Sequence, residues 1–600
     1  MKKMFFVFSI IILFSLNLFS IDFSPSELET RLLFSESLEL LFNEQKYEAR
    51  IKLTEAISGE VYIDDLPKLW YYAAKLDLQL GLIDRAKADI DNILLFSIEN
   101  EEVRTMLNFI ESFEKFSLNN YSLPTYYNNL ESIYGSKDTM DRFFTITDIE
   151  IINSTIYILD SHNKRIFKQE NQQKIWIKLP DNVDFYSIHA DKNLNRMYLG
   201  SSEGIYYFDC HSSNVFIVDE FYNELLSASV NDENNIKKLV SGFPYVIFDV
   251  DKSGRIFGYN PFENSLSIIG FNGKILEKYI LPETYVIFDG TKWHDDIYVL
   301  EYSTNSLIKF NSFNFSIEKI IPLKEDFQFL YIDVVPWGNL ILNDSLGNTY
   351  TAKIENDEIS YEILEYNEKF KGFVKIKNGI ITFVNNKNYL VDIYRIESSG
   401  TFDSYNINFY GLNLDKDNFE VHSKFSVTDL VGQKMEFITK NLFVEDSGGR
   451  VSFNYYRKYV SPKIYYYENI NDFFDAGIAQ AQTDSFIILK GSIDKILSAE
   501  QIIPLLLSSS SVYYLWDEND LDNQLKEIIY TTGGQIINKK HEEYLKEYLN
   551  KTYKPIEFVS YKLYPPILPG IKNSKITINL KNKSLSDSLY YYIEGAGYGE

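Results

Sequence analysis

The sequence predicts a multi-domain chain: an N-terminal α-helical region, a central all-β six-bladed propeller, and a C-terminal α/β domain entered through a small β segment. Three observations predict it. A segment of about forty residues recurs along the middle, each copy an apolar strand, a polar turn and a second apolar strand, which is how a propeller looks in sequence. Before it, apolar residues recur at helical spacing; after it, short apolar strands alternate with helical stretches. At 600 residues the chain exceeds what one hydrophobic core supports.

The N-terminal helices come first. Leu38, Leu41 and Phe42 share a face, as do Ala86, Ile90, Ile93 and Leu94, and Val103, Met106, Leu107 and Ile110. Helices are expected over 25–118, opening at Ser24-Pro25-Ser26-Glu27. Trp70, Gly81, Ala86 and Ile90 stand at a spacing that resembles a tetratricopeptide repeat. That resemblance implies that Trp70 packs the first helix, Gly81 closes it, and Ala86 lets the second approach. A weaker copy, Lys46-Tyr47-Glu48-Ala49-Arg50-Ile51, has Arg50 where the family prefers Ala. Two repeats form either a peptide- or protein-docking groove or a helical cap on the next domain. A linker is expected over 119–142, where Asn119, Asn120, Pro124, Gly135 and Ser136 interrupt the pattern.

The repeats follow over 143–400. Their polar turns sit near Asp160, Ser201, Asn260, Glu301, Asn343 and Val384, evenly spaced except for one insertion, placed at about Phe221 to Ser241. The first copy, Tyr157 to Ile166, resembles an NHL repeat, in which an Asp opens the turn, an Asn closes it and an Arg-Ile step enters the next strand. Asp160, Asn163, Arg165, Asn264 and Asn305 are the expected turn residues, because Asx side chains cap nearby backbone N–H groups. The resemblance implies a binding platform or a lyase or lactonase-like hydrolase, the enzyme with a divalent metal in the central channel. His162, His189, His211 and His294 do not recur at one blade position. Asp249 to Gly254 opens like a calcium loop, but its twelfth position is Asn260 rather than Glu, so an ordinary turn is expected.

Beyond the propeller, 401–460 reads as paired strands, Lys424 to Met435 and Asn441 to Arg450, resembling the β preamble of some bacterial von Willebrand factor A-like domains. Strands at Ile464, Phe486, Val512 and Gln535 then alternate with helices over 461–600. Thr531-Thr532-Gly533-Gly534 resembles the Thr-Gly-Gly turn late in that family, and Phe558 to Pro566 its closing strand; the resemblance implies a Rossmann-like sheet. The family's Asp-x-Ser-x-Ser motif is missing after Tyr467, where the chain reads Glu468-Asn469-Ile470-Asn471-Asp472, and at Asp446-Ser447-Gly448, so a metal-free, degenerate domain is expected. Gly595 to Gly599 opens no helix and reads as a chain end.

Bulk chemistry narrows the function. The net charge of -26 repels phosphate backbones and anionic lipid, so nucleic acid is not an expected partner. The single cysteine, Cys210, excludes an intramolecular disulfide. Lys2, Lys3 and the apolar run from Phe5 read as a Sec-type export signal over 1–20, cleaved after Ser20 or retained as an anchor; only retention would give contact with a membrane. The expectation is an exported bacterial protein of the periplasm or cell envelope, a non-catalytic scaffold for other envelope proteins with no cofactor. The alternatives are a propeller enzyme and a surface adhesin acting through the von Willebrand-like domain.

Overall fold

The computed structural model describes residues 25–593 apart from short internal segments, the longest being 112–124, 228–235, 364–372 and 430–441. The export-signal reading at 1–20, His211 and Gly595 to Gly599 lie outside the described residues.

Among the described residues four helices come first: Pro25–Phe42, Lys46–Ser58, Leu66–Gln79 and Ile83–Leu95. Their alanines and leucines close one core, with Ala49, Ala73, Ala74, Ala86 and Ile90 fully buried. Arg50 is a buried tie rather than a flaw: its guanidinium donates to both Asp77 oxygens, at 2.6 and 2.8 Å, and lies 3.6 Å from Asp89. It therefore clamps three helices, a role Ala could not fill. The helices do not cap the propeller. They share a core with C-terminal strands; Tyr71 donates to Asp587 at 2.6 Å, Lys424 donates to the Phe42 carbonyl, and a Cβ on Gly81 would lie 2.2 Å from the Glu500 carbonyl oxygen.

Six four-stranded antiparallel sheets form the propeller. Blade 3 is typical: Val246–Val250, Ile256–Asn260, Ser265–Ile269 and Ile275–Ile280 pair in chain order. The first strand of each blade touches the first strand of the next, and the ring closes from blade 6 to blade 1. Two blades are completed from a distance. The segment read as a linker supplies Thr125–Tyr134, which pairs antiparallel with Leu390–Ser398 as the outer strand of blade 6. This joins the two ends of the propeller through hydrogen bonds. In blade 2 the outer strand is Lys237–Ser241, so the insertion ends before it. The insertion also begins before Phe221, and its short strands Val215–Val218 and Leu225–Ser227 extend a sheet of the C-terminal region.

The C-terminal third divides differently from its sequence reading. The preamble and the chain's end form one β-sandwich. Its first sheet holds Tyr405–Asp415, Glu420–Asp429, Lys554–Lys562 and Phe453–Val460; its second holds Leu442–Asp446, Gly570–Asn579 and Ser584–Ile593. The segment compared with a closing α/β strand, Lys554–Lys562, instead lies between two antiparallel sandwich partners. The α/β unit is inserted between them, with parallel strands Ile464–Tyr467, Phe486–Leu489, Ser511–Trp516 and Gln535–Asn538. Their spatial order follows the chain. A doubly wound Rossmann-like sheet reverses order at a switch point, and this sheet has none among its described strands. Right-handed crossovers that advance in one direction put their helices on one face. Ala499–Leu507 and Asn523–Thr531 accordingly share one core. The other face is left to the last helix, Glu542–Leu549, and to the propeller residues Leu194 and Phe271.

Among the described residues no helix is long and apolar enough to cross a membrane.

Candidate functional site: the propeller channel and its two faces

The inner strands carry Asp148, Glu150, His189, Asp249, Asp289, Asp333 and Lys375 along the channel. The inner strands of neighbouring blades splay apart, so their edge N–H groups need other acceptors. The carboxylates supply them. Asp148 accepts from Ile188 N at 2.9 Å and Glu150 from Ala190 N at 3.0 Å. Asp289 accepts from Ile332 N at 3.1 Å, and Asp333 from Ile376 N. Ser187 does the same for Ile247 N. Each acceptor thus holds the blade that follows its own.

Lys375 neutralises part of this charge. Burial works against its ammonium, but Asp148, Asp289, Asp333 and Glu150 outweigh burial and raise its pKa. It stands 3.8 Å from Asp148. Burial pushes Asp333 up to about 7, against the pull of Lys375 and of the Ile376 and Val334 amides. Burial also raises Asp289. His189 lies 3.7 Å from Asp148 and 3.9 Å from Glu150. A divalent metal fits this set poorly: four of the carboxylates are engaged by amides, and an ammonium already stands among them. Among the described residues no three His, Cys, Asp or Glu side chains converge as a metal-binding group.

The sequence held a signal for these residues. Tyr245-Val246-Ile247-Phe248-Asp249 recurs as Tyr285-Val286-Ile287-Phe288-Asp289, marking the inner strand of two successive blades. A β-bulge follows the first residues of the inner strand in blades 2 to 5, which turns Tyr186 and Phe288 outward to about two-fifths exposure.

The predicted turn residues all lie at one end of the propeller, between the second and third strands of their blades. Asp160 is fully buried and accepts from the Phe144 and Thr145 amides, the Asn163 side chain and Arg165. Arg165 stacks over Trp176, 3.7 Å from its ring centre. Asn264 and Asn305 take left-handed backbone, φ 48° and 47°, which Asn tolerates well. Their side-chain amides donate to the Pro282 carbonyl and to the Lys324 and Phe327 carbonyls. These residues are occupied in bracing the turns. His162 belongs to the same face, against Phe144.

The opposite end is covered by the α/β unit. Tyr548, fully buried, donates to Asp191 at 2.9 Å; Tyr544 donates to the Ser253 carbonyl and Tyr513 to the Lys252 carbonyl. Gly254, φ 69°, lies directly under the Tyr548 ring, where a Cβ would stand 2.2 Å from it. The Asp249 to Gly254 segment is an ordinary turn: Asp251 accepts from Ser253 and Arg255. His294 packs on Tyr530 with ring centres 4.0 Å apart. Burial, then the charges of Lys292 and Lys252, push His294 down to about 3, and burial pushes its neighbour Asp295 up to about 6.

The remaining predicted residues are placed in packing roles. Trp70 is half-buried against Phe96. Thr532 and Gly533 end the helix Asn523–Thr531. Gly533 N bonds the Tyr530 carbonyl and Gly534 N the Ile529 carbonyl, the pairing expected when a left-handed Gly closes a helix. Thr532 Oγ1 accepts from Val512 N, Thr531 is buried, and a Cβ on Gly534 would meet the Val512 carbonyl oxygen at 1.6 Å. Cys210 is buried and its carbonyl accepts from Asn195.

No family model matches the sequence, and no curated protein matches it. Comparison with solved structures returns propellers. Virginiamycin B lyase from Staphylococcus aureus aligns at a TM-score of 0.30 and 11% identity, over 45% of this chain and 99% of that one. The WD40 β-propeller domain of Doa1 aligns at 0.29 and 10%, over 45% and 96%. Regucalcin from Agrobacterium tumefaciens, titled a calcium-binding protein, aligns at 0.30 and 11%, over 41% and 88%. These values carry no argument about activity, and the propeller assignment rests on the sheets and the ring.

Proposed function

We propose that the protein is a non-catalytic binding platform of the bacterial cell envelope, whose propeller presents a surface to other envelope proteins. The observation that carries this reading is the commitment of the channel carboxylates. Asp148, Glu150, Asp289 and Asp333 each accept a backbone amide of the following blade, and Lys375 sits among them. A lyase or hydrolase working in this channel would need those same groups free to bind a metal or to carry a proton. They serve instead to hold the ring.

The helical hairpin around Trp70, Gly81, Ala86 and Ile90 belongs to this reading as a tetratricopeptide-like brace. Its faces are used against the sandwich, which supports a brace on the C-terminal region rather than a docking groove. The export segment at 1–20 supports an envelope location.

Chemical crosslinking in the native envelope, followed by recovery of the protein, tests the reading. Defined protein partners are expected. Absence of any partner, together with turnover of a lyase or lactone substrate that is lost in Lys375→Met, would contradict it.

A further inference from the structure

Resting on the platform reading, we infer that the propeller end opposite the α/β unit docks a cationic segment of a partner protein, with Lys or Arg set among apolar residues. Two pairs of exposed aromatic side chains mark this face. Phe243 stacks on Phe262 with ring centres 5.5 Å apart, and Phe288 meets Tyr302 edge-on at 4.7 Å. Phe262 is 75% exposed and the other three 40–43%. Phe243 comes from the loop that enters blade 3, Phe288 from the bulge at the start of the inner strand of blade 4, and Phe262 and Tyr302 from the turns after the second strands of these blades. An aromatic cluster left in water over two neighbouring blades is a surface built for contact.

Charge selects the occupant. Phe288 is followed directly by Asp289, so the aromatic patch borders the channel. There Asp148, Glu150, Asp249, Asp289 and Asp333 outnumber the two lysines of the inner strands that act on them, Lys375 among them and Lys292 beside Asp249 and Asp251. Glu283 stands exposed on the same loop as the patch, and the whole chain carries -26. A partner segment bearing carboxylates or phosphates would meet like charge. Lys or Arg would meet both the acidic channel and the electron-rich ring faces, which attract cations.

Full-length protein is titrated with two fluorescent peptides of equal length and Phe content, one rich in Lys and one rich in Glu. The Lys peptide is expected to bind at least about tenfold more tightly. Phe262→Ser combined with Phe288→Ser should weaken it about tenfold, and Glu283→Lys should weaken it too. Ile175→Ser, exposed in the middle of the outer strand of blade 1, should leave it unchanged. Equal binding of both peptides, binding of neither, or unchanged affinity in the double variant overturns the inference. Crosslinking with wild type and double variant separates this from the parent reading. The same partners from both would leave the platform standing and remove this face as its surface; no partners from either would remove the platform.

Discussion

The two ends of the propeller use aromatic residues in opposite ways. At the covered end Tyr513, Tyr544 and Tyr548 are buried and each phenol has a partner on the propeller. At the open end Phe243, Phe262, Phe288 and Tyr302 are exposed, and the stacked pair Phe243 and Phe262 has no polar handle at all. The lesson is that aromatic content alone says little about function. A buried tyrosine with a satisfied hydroxyl holds an interface that is already made; an exposed phenylalanine pair marks one that is still to be made.

That contrast can be broken by substitution, and the covered end should respond most. Tyr548→Ala removes a fully buried ring and strips Asp191 of a donor. A loss of about 3–5 kcal/mol is expected in urea unfolding; a loss under about 1 kcal/mol would mean that the α/β unit is not seated as described.

Acid should act next on the same interface. His294 is buried with a pKa lowered from 6.5 to about 3, so the unfolded chain takes up a proton that the folded chain resists. Stability from this group is complete above 6.5 and is lost as pH falls towards 3. Asp295, raised from 3.8 to about 6, acts in the opposite sense, regaining stability as pH falls through that window, but its shift is smaller. Lys526 approaches Asp295 at 3.8 Å from the α/β side. His294→Phe should remove roughly 3 kcal/mol of acid sensitivity at pH 4, read from melting temperatures across pH. An unchanged pH profile would show that His294 is open to water.

The open end separates into braces and free surface. Asp160→Ala leaves buried donors without an acceptor and should cost about 1–3 kcal/mol, checked by thermal unfolding. Phe262→Ser, at the tip of the equivalent turn in blade 3, should change stability by less than about 0.5 kcal/mol. A large loss there would show that Phe262 packs on something within the chain.

Much of this molecule was legible in sequence where structure is local. The propeller could be read because each blade repeats its own strand spacing and Asx turn, as at Asp160, Asn264 and Asn305. The parallel strands could be read because apolar tetrads such as Phe486–Leu489 alternate with amphipathic helices. What could not be read was pairing across distance. Thr125–Tyr134 carries the polar run Asn128-Asn129, and its partner Leu390–Ser398 lies at the far end of the propeller. The sandwich strands Phe453–Val460 and Lys554–Lys562 are neighbours in space but flank the whole α/β unit in the chain. No local pattern encodes such partners. The site divided in the same way. The turn residues were visible as motifs, whereas each carboxylate strut is one acidic residue within an apolar strand, marked only by Tyr-Val-Ile-Phe-Asp standing twice in the sequence. Thr531 to Gly534 was legible as a turn in the same way, because a left-handed Gly closes the helix Asn523–Thr531 there.

Hydrogen–deuterium exchange on the full chain, with and without the Lys-rich peptide, separates the covered end of the propeller from the end that docks a partner. Slow exchange is expected at 191–195 and 251–255 without peptide, because these turns lie beneath the α/β unit. Peptide is expected to slow exchange at 242–245, 260–264, 283–288 and 301–305 alone. Fast exchange at the first set, or peptide protection appearing there rather than on the aromatic face, would contradict this separation.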